Sequence, residues 1–245
     1  MWMLFSVGGA SGFFSEIEKS IVEAFKEYFP MENKNLIEGD IIPDARESLS
    51  YNAMTSESKR WYKGLVPYVI DSSLRPMEPL IQEAMKNIQT RTACIRFKPR
   101  SGERDFILIK KGKGCNSYVG RQGGQQEVSI GEGCESFGVV VHELTHSLGF
   151  HHEHNRSDRD QYIKIYMENI DPQYGSQFRK KSPNENRLIN AFSYDSIMLY
   201  GSKSFSKSKR KPSMTKLNGE TLTEVHHKKG LSKSDVERIR KLYSC

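Results

Sequence analysis

The run His142–His152, HELTHSLGFHH, limits what this chain can fold into more than any other stretch. His142 and His146 stand at i and i+4, so on a helix both imidazoles leave one face at a spacing that suits a single zinc ion. Val139, Val140 and Val141 precede them, and Leu144 and Leu148 follow at inward positions, which predicts a buried helix over Phe137–Leu148. Glu143 adjoins both histidines without sharing their face, and is positioned to take a proton from an attacking water rather than to bind metal. Gly149 can adopt the positive φ that ends the helix and turns the chain, letting His152 return as a third ligand. Three neutral nitrogens with a fourth position open are the pattern of a catalytic rather than a structural zinc site. A histidine-rich run without metal is the plain alternative, but the five specified positions should match by chance in only about 3 in 10⁵ such chains. The interval from Gly149 ends on His152, so His151 is read as a surface residue.

The rest of the chain reads as a leader, a β-rich half, the central helix and an irregular half. Phe13, Ile17, Ile21, Phe25 and Phe29 recur every fourth position and predict an amphipathic helix ended by Pro30. Met31–Lys59 is polar and irregular, a linker or an extended segment lying on something else. Strands are expected at Val66–Ile70, Ile95–Lys98, Asp105–Lys110 and Glu127–Ile130. A helix over Pro76–Thr90 has Leu80, Ile81, Ala84, Met85 and Ile88 on its inner face. Regular structure is sparse from Gln173 to Gly230, and a last helix over Ser232–Tyr243 carries Ser232 as cap with Asp235 three residues on.

Composition removes other classes. The net charge of +7 sits largely in the last part of the chain, notably Lys203, Lys207, Lys209, Arg210 and Lys211. Lysines interleaved with serine read as a solvated loop, and no nucleic-acid motif accompanies them, so no nucleic-acid partner is expected. No apolar run reaches the length of a membrane-crossing helix, so no membrane insertion is expected. Cys94, Cys115, Cys134 and Cys245 include no C-x-x-C pair, and a cysteine at the extreme terminus suits a tied-down chain end. Two disulfides in an oxidising compartment is the preferred reading. Met1–Ala10 is apolar and ends in small residues, but is short and lacks a positive n-region for a signal peptide. Asn155-Arg156-Ser157 is a glycosylation sequon that overlaps the histidine motif, and it is expected to be unmodified.

The eleven-residue pattern H-E-x-x-H-x-x-G-x-x-H belongs to metzincins. His142–Tyr162, HELTHSLGFHHEHNRSDRDQY, resembles more narrowly the astacin family's H-E-x-x-H-x-x-G-F-x-H-E-x-x-R-x-D-R-D-x-Y. Ser196–Gly201, SIMLYG, resembles that family's Met-turn, and the likeness extends through Trp61–Asp71, Cys94–Phe97 and Ser117–Gly124. The resemblance implies an α+β, metzincin-like fold of two subdomains: a twisted mixed sheet with a backing helix and the active-site helix, then an irregular C-terminal half. It implies a secreted zinc-dependent endopeptidase with one catalytic Zn²⁺, acting on protein or peptide substrates, made as a zymogen that an activating protease matures, and monomeric. Its zinc ligands would be His142, His146 and His152. Glu143 would be the catalytic base, and Tyr200 would swing to hydrogen-bond the oxyanion. Met198 would form the floor beneath the metal, and Glu153 would receive the new N-terminal ammonium. The cysteines would pair as Cys94–Cys245 and Cys115–Cys134. Glu38-Gly39-Asp40 resembles the family's inhibitory F-x-G-D, with Ile37 at the phenylalanine position, so Asp40 would bind zinc and displace water. The expected division is a leader over residues 1–51 and a catalytic domain over 52–245, with Tyr51, not a basic residue, before the expected maturation point.

Overall fold

The most apolar strand, Phe106–Lys110 (FILIK), lies at the middle of a sheet, as a strand covered on both faces should. The computed structural model describes residues 30–44, 57–208 and 210–245. Met1–Ala10, the helix expected over Phe13–Phe29, and the Tyr51 maturation point lie outside the described residues.

In chain order the regular elements are β1 (Leu65–Ile70), α1 (Glu78–Thr92), β2 (Arg96–Pro99), β3 (Phe106–Lys110), β4 (Cys115–Ser117), β5 (Gln125–Ile130), α2 (Phe137–Ser147), β6 (Ile163–Ile165), β7 (Met214–Lys216) and α3 (Lys233–Tyr243). The sheet order is β2-β1-β3-β5-β4, parallel except for the edge strand β4, which runs antiparallel to β5. The fold is therefore the expected α+β one, with a mixed sheet. β4 escaped the sequence reading because three residues are too short to display alternation. In β3 the residues fully covered are Ile107 and Ile109, while Leu108 is only half-buried.

α1 starts with Pro79 in its first turn, where the missing N–H is harmless, and buries Ile81, Ala84, Met85 and Ile88 along one stripe. It packs on both α2 and α3. α2 is buried on every side from Gly138 to Ser147, which is why its sequence lacks a polar face. Ser136 caps it by accepting the Val139 N–H. Gly138 allows a close crossing, since a Cβ there would lie 2.1 Å from the Val225 carbonyl oxygen. α3 begins with the Ser232–Asp235 capping box expected from the sequence.

Two disulfides pin this frame, Cys94–Cys245 from the end of α1 to the chain end, and Cys115–Cys134 across the start of β4. The first closes 151 residues, and chain-entropy arguments give such a loop roughly 4–5 kcal/mol.

Between α2 and α3 the chain is mostly turns around a small aromatic and aliphatic core. β6 and β7 form a two-stranded antiparallel ribbon, Ile163 opposite Lys216 and Ile165 opposite Met214. Phe192 stacks on Tyr162 at 4.7 Å between centroids, and Phe205 packs against Phe178 at 5.5 Å. Among the described residues no helix is long and apolar enough to cross a membrane.

Residues 30–44 lie against the sheet edge. Ser117 of β4 donates to the Asp40 carbonyl at 3.0 Å and accepts from the Ile42 N–H at 2.9 Å. Ile37 and Ile41 exchange two backbone hydrogen bonds of 2.9 Å, closing a hook whose tip is Glu38-Gly39-Asp40. Gly39 sits at φ +98°, and a Cβ would come 2.5 Å from Phe205 Cζ. Residues 31–44 lie on the body of the protein, as one of the two readings of Met31–Lys59 expects, but as a hook of turns rather than an extended segment.

Candidate active site

α2 carries His142 and His146 one turn apart, with ring centroids 4.6 Å from each other. The helix ends at Leu148, Gly149 takes φ +109°, and its N–H returns to the His146 carbonyl at 2.7 Å. This reversal brings His152 back to the pair. His142 Nε2 and His146 Nε2 both lie 3.2 Å from His152 Nε2.

The tautomers follow from the partners of the other nitrogens. His142 Nδ1 is 2.8 Å from the Ile197 carbonyl, and His146 Nδ1 is 2.6 Å from the Phe150 carbonyl. A carbonyl only accepts, so each Nδ1 carries the hydrogen and each Nε2 offers a lone pair to the focus. Burial holds His142 neutral, its pKa down to about 3 despite the Asp40 carboxylate.

Asp40 closes the group from the hook at residues 37–41. Its carboxylate oxygens lie 3.1 Å from His142 Nε2 and 3.2 Å from both His146 Nε2 and His152 Nε2. All four residues are almost completely buried. Four convergent lone-pair groups in a low-dielectric interior demand positive charge at their centre. Burial opposes charge on His152, yet Asp40 and Glu38 together push its pKa up to about 9. A divalent cation answers the same demand for all four groups, and three imidazoles with one carboxylate form a donor set suited to zinc.

Glu143 faces the site from α2, fully buried, with neither carboxylate oxygen hydrogen-bonded. Burial first, and then the negative charge of Asp40, hold its carboxyl well above the ordinary carboxylate range. Tyr200, also buried, donates its hydroxyl to Asp40 Oδ2 at 2.5 Å. Met198 is 1% exposed, in the turn whose Ile197 carbonyl holds His142. That turn is braced from both sides. Asp235 of α3 accepts from the Ser196 hydroxyl at 2.6 Å and the Ile197 N–H at 2.8 Å, and buried Lys228 Nζ donates to the Ser196 and Leu199 carbonyls at 2.6 and 2.5 Å.

The surroundings hold groups that sequence reasoning missed. Glu153, expected to await a new chain terminus, already has its carboxylate gripped by Arg238 of α3 through contacts of 2.5 and 2.6 Å, by the Ser193 N–H at 2.8 Å and by Arg156 at 3.4 Å. The available signal was positional, because Arg238 shares the inner face of α3 with Asp235, Ile239 and Leu242. Glu38 bonds His152 Nδ1 at 2.9 Å and Lys181 Nζ at 2.9 Å. Lys181 ends the basic run Arg179-Lys180-Lys181, and nothing in the sequence marks it as buried. His151, read as a surface residue, is instead half-buried with Nδ1 3.7 Å from Glu38, because the hook at residues 37–41 covers it. Asn155 of the sequon is buried, its amide donating to the Gln177 and Arg179 carbonyls at 2.8 and 2.9 Å.

A buried cluster of three histidines and a carboxylate, with a free glutamate on the same helix, defines a mononuclear metallohydrolase site. The family model of the astacin peptidases matches residues 53–244. The chain is 40% identical over 220 residues to Astacin-like metalloprotease toxin 1 of Loxosceles intermedia, covering 88% of this chain and 83% of that protein. It is 44% identical over 196 residues to Zinc metalloproteinase nas-6 of Caenorhabditis elegans, covering 80% of this chain but 57% of the nematode protein. Among solved structures it resembles High choriolytic enzyme 1, a hatching enzyme zinc-protease from Oryzias latipes, with TM-score 0.72 and 40% identity over 79% of this chain and 100% of that one. The chain belongs to the astacin family and is a zinc metallopeptidase that hydrolyses peptide bonds in proteins or peptides.

Proposed function

We propose that this chain is a secreted astacin-family endopeptidase made as a latent zymogen, with a leader over residues 1–51 and a catalytic domain over 52–245. The observation that carries latency is the Asp40 carboxylate, within 3.2 Å of all three Nε2 atoms. His142, His146 and His152 would hold zinc. When bound, zinc supplies Lewis acidity toward the scissile carbonyl and lowers the pKa of water.

Glu143 takes a proton from the attacking water and later delivers it to the leaving amine. Its place supports this role, because neither of its buried carboxylate oxygens is engaged in a hydrogen bond and both are free to take and return a proton. Tyr200 donates its hydroxyl to the developing oxyanion once Asp40 no longer accepts it. Met198 floors the site, and Glu153, held by Arg238 in the unprocessed chain, receives the new N-terminal ammonium after maturation. In the zymogen Asp40 occupies the position that water needs, and the leader lies along β4, the edge a substrate backbone would use.

Two disulfides support an oxidising, extracellular destination. Maturation requires another protease to cut near Tyr51. The test is N-terminal sequencing of the active form combined with digestion of unfolded protein before and after processing. Cleavage should accompany loss of the leader. Equal cleavage by the unprocessed chain would overturn latency, and cleavage that survives a chelator would overturn zinc dependence.

A further inference from the structure

Lys228 stands in the run His226-His227-Lys228-Lys229, which offers no apolar pattern that would bury a cation. Its neighbour Lys229 is exposed, yet Lys228 is buried and carries its ammonium under the Ser196–Leu199 turn. There Nζ donates to the Ser196 carbonyl at 2.6 Å and to the Leu199 carbonyl at 2.5 Å. What the ammonium touches is therefore the backbone of the turn. Burial opposes its charge and lowers its pKa to about 8, while Asp235 of α3, Glu224, Glu153 and Asp195 favour the charged form.

The turn uses all four of its carbonyls, and the two that Lys228 does not hold face the metal-binding group. Ile197 accepts from His142 Nδ1 at 2.8 Å, and Met198 accepts from the Glu153 N–H at 2.9 Å, one residue beyond His152. The Leu199 carbonyl shares a peptide plane with the Tyr200 nitrogen, so fixing it fixes where Tyr200 departs from the chain. The Ser196 carbonyl shares a plane with the Ile197 N–H, which Asp235 holds at 2.8 Å. One cation thus pins both ends of a segment whose middle touches His142 and the residue after His152. Bonds from a charged donor are roughly twice as strong as neutral ones, and the buried setting strengthens them further.

We propose that Lys228 is a positioning residue for the reaction: by holding the first and last carbonyls of the turn, its ammonium sets the Ile197 carbonyl that orients His142 and the pose of Tyr200. Asp235 alone grips only the first peptide of the turn, so the Tyr200 end depends on Lys228. This rests on the proposed roles of His142 and Tyr200.

The test uses the chain after proteolytic removal of the leader, with Lys228→Met, which keeps an unbranched apolar stem and removes the charge. Zinc affinity, measured with the metal alone against a competing chelator, should weaken by about 10- to 100-fold. At saturating zinc, kcat on an unstructured peptide should fall by about 10- to 100-fold while KM changes by less than about threefold. In the unaltered processed chain kcat should decline through an apparent pKa of about 8 as Lys228 loses its charge, and Lys228→Met should be slow and level over the same range. Zinc affinity and kcat both within about twofold of the parent, or an alkaline decline that persists in the variant, overturn the assignment. If Lys228→Met does not fold, the unaltered processed chain decides: a kcat that stays level from about pH 7 to 9 overturns it. An unaltered processed chain that cuts no peptide refutes the protease reading, and the zinc titration then decides the role of Lys228 separately.

Discussion

His142, Glu143 and His146 ride on α2, a helix buried from Gly138 to Ser147 and fixed by its own hydrogen-bond ladder. His152, Glu153 and Tyr200 sit on turns, and their positions depend on individual side chains reaching backbone atoms or one another: Lys228 and Asp235 on the Ser196–Leu199 turn, Arg238 on Glu153, Asn155 on the Gln177–Arg179 segment. The first arrangement spreads each residue's position over many equivalent bonds. The second concentrates it in a few buried polar contacts, each costly to break because the surviving partner stays desolvated. The difference explains how an irregular half can hold a site as firmly as a helix, and where it is vulnerable.

The largest effect should come from Glu143→Ala in the regular half. Peptide cleavage by the processed chain should fall by about 10²–10⁴-fold or more, with one zinc per chain retained in metal analysis. For the irregular half, Arg238→Ala on α3 strands the buried Glu153 carboxylate of the turn region and should lower stability in denaturant unfolding by roughly 3–5 kcal/mol. A loss near zero would show that Glu153 is not held as described. Replacing Cys94 and Cys245 together by serine should cost about 2–5 kcal/mol in the same assay, the chain-entropy value for so long a loop marking the upper end, since the bridge ties α1 to the chain end. Ser232→Ala, which removes one cap bond of α3, should cost only about 1 kcal/mol. If the cap cost more than the Arg238 pair, the contrast between the two halves would be reversed.

The regular half was legible because its signals are periodic. The apolar stripe of α1, the Val139–Val141 run and the His142/His146 spacing each follow the helical repeat, and the Ser232–Asp235 box marked the start of α3. β4, β6 and β7 hold three residues each and carry no period to read. The irregular half was legible only through the family resemblance, which identified Met198, Tyr200 and Glu153 as residues to watch. What no pattern displayed was the pairing partners. Arg238 was marked only by its place on the inner face of α3, which does not name its partner, and Lys181 looks like an ordinary surface cation until the fold puts a carboxylate against it. His151 was misread for the same reason, because its cover comes from a segment more than a hundred residues earlier.

On the proposed reading one triad, His142, His146 and His152, carries the zinc of a protease and is covered by Asp40 until the leader leaves. The most direct measurement is cleavage of an unfolded protein by zinc-loaded full chain carrying Asp40→Ala, compared with the unaltered full chain at equal zinc content and without processing. Cleavage should rise at least about tenfold and should vanish with a chelator. An Asp40→Ala chain that stays as inactive as its parent, while the processed parent cleaves well, would contradict the assignment of Asp40 as the group that keeps the site closed.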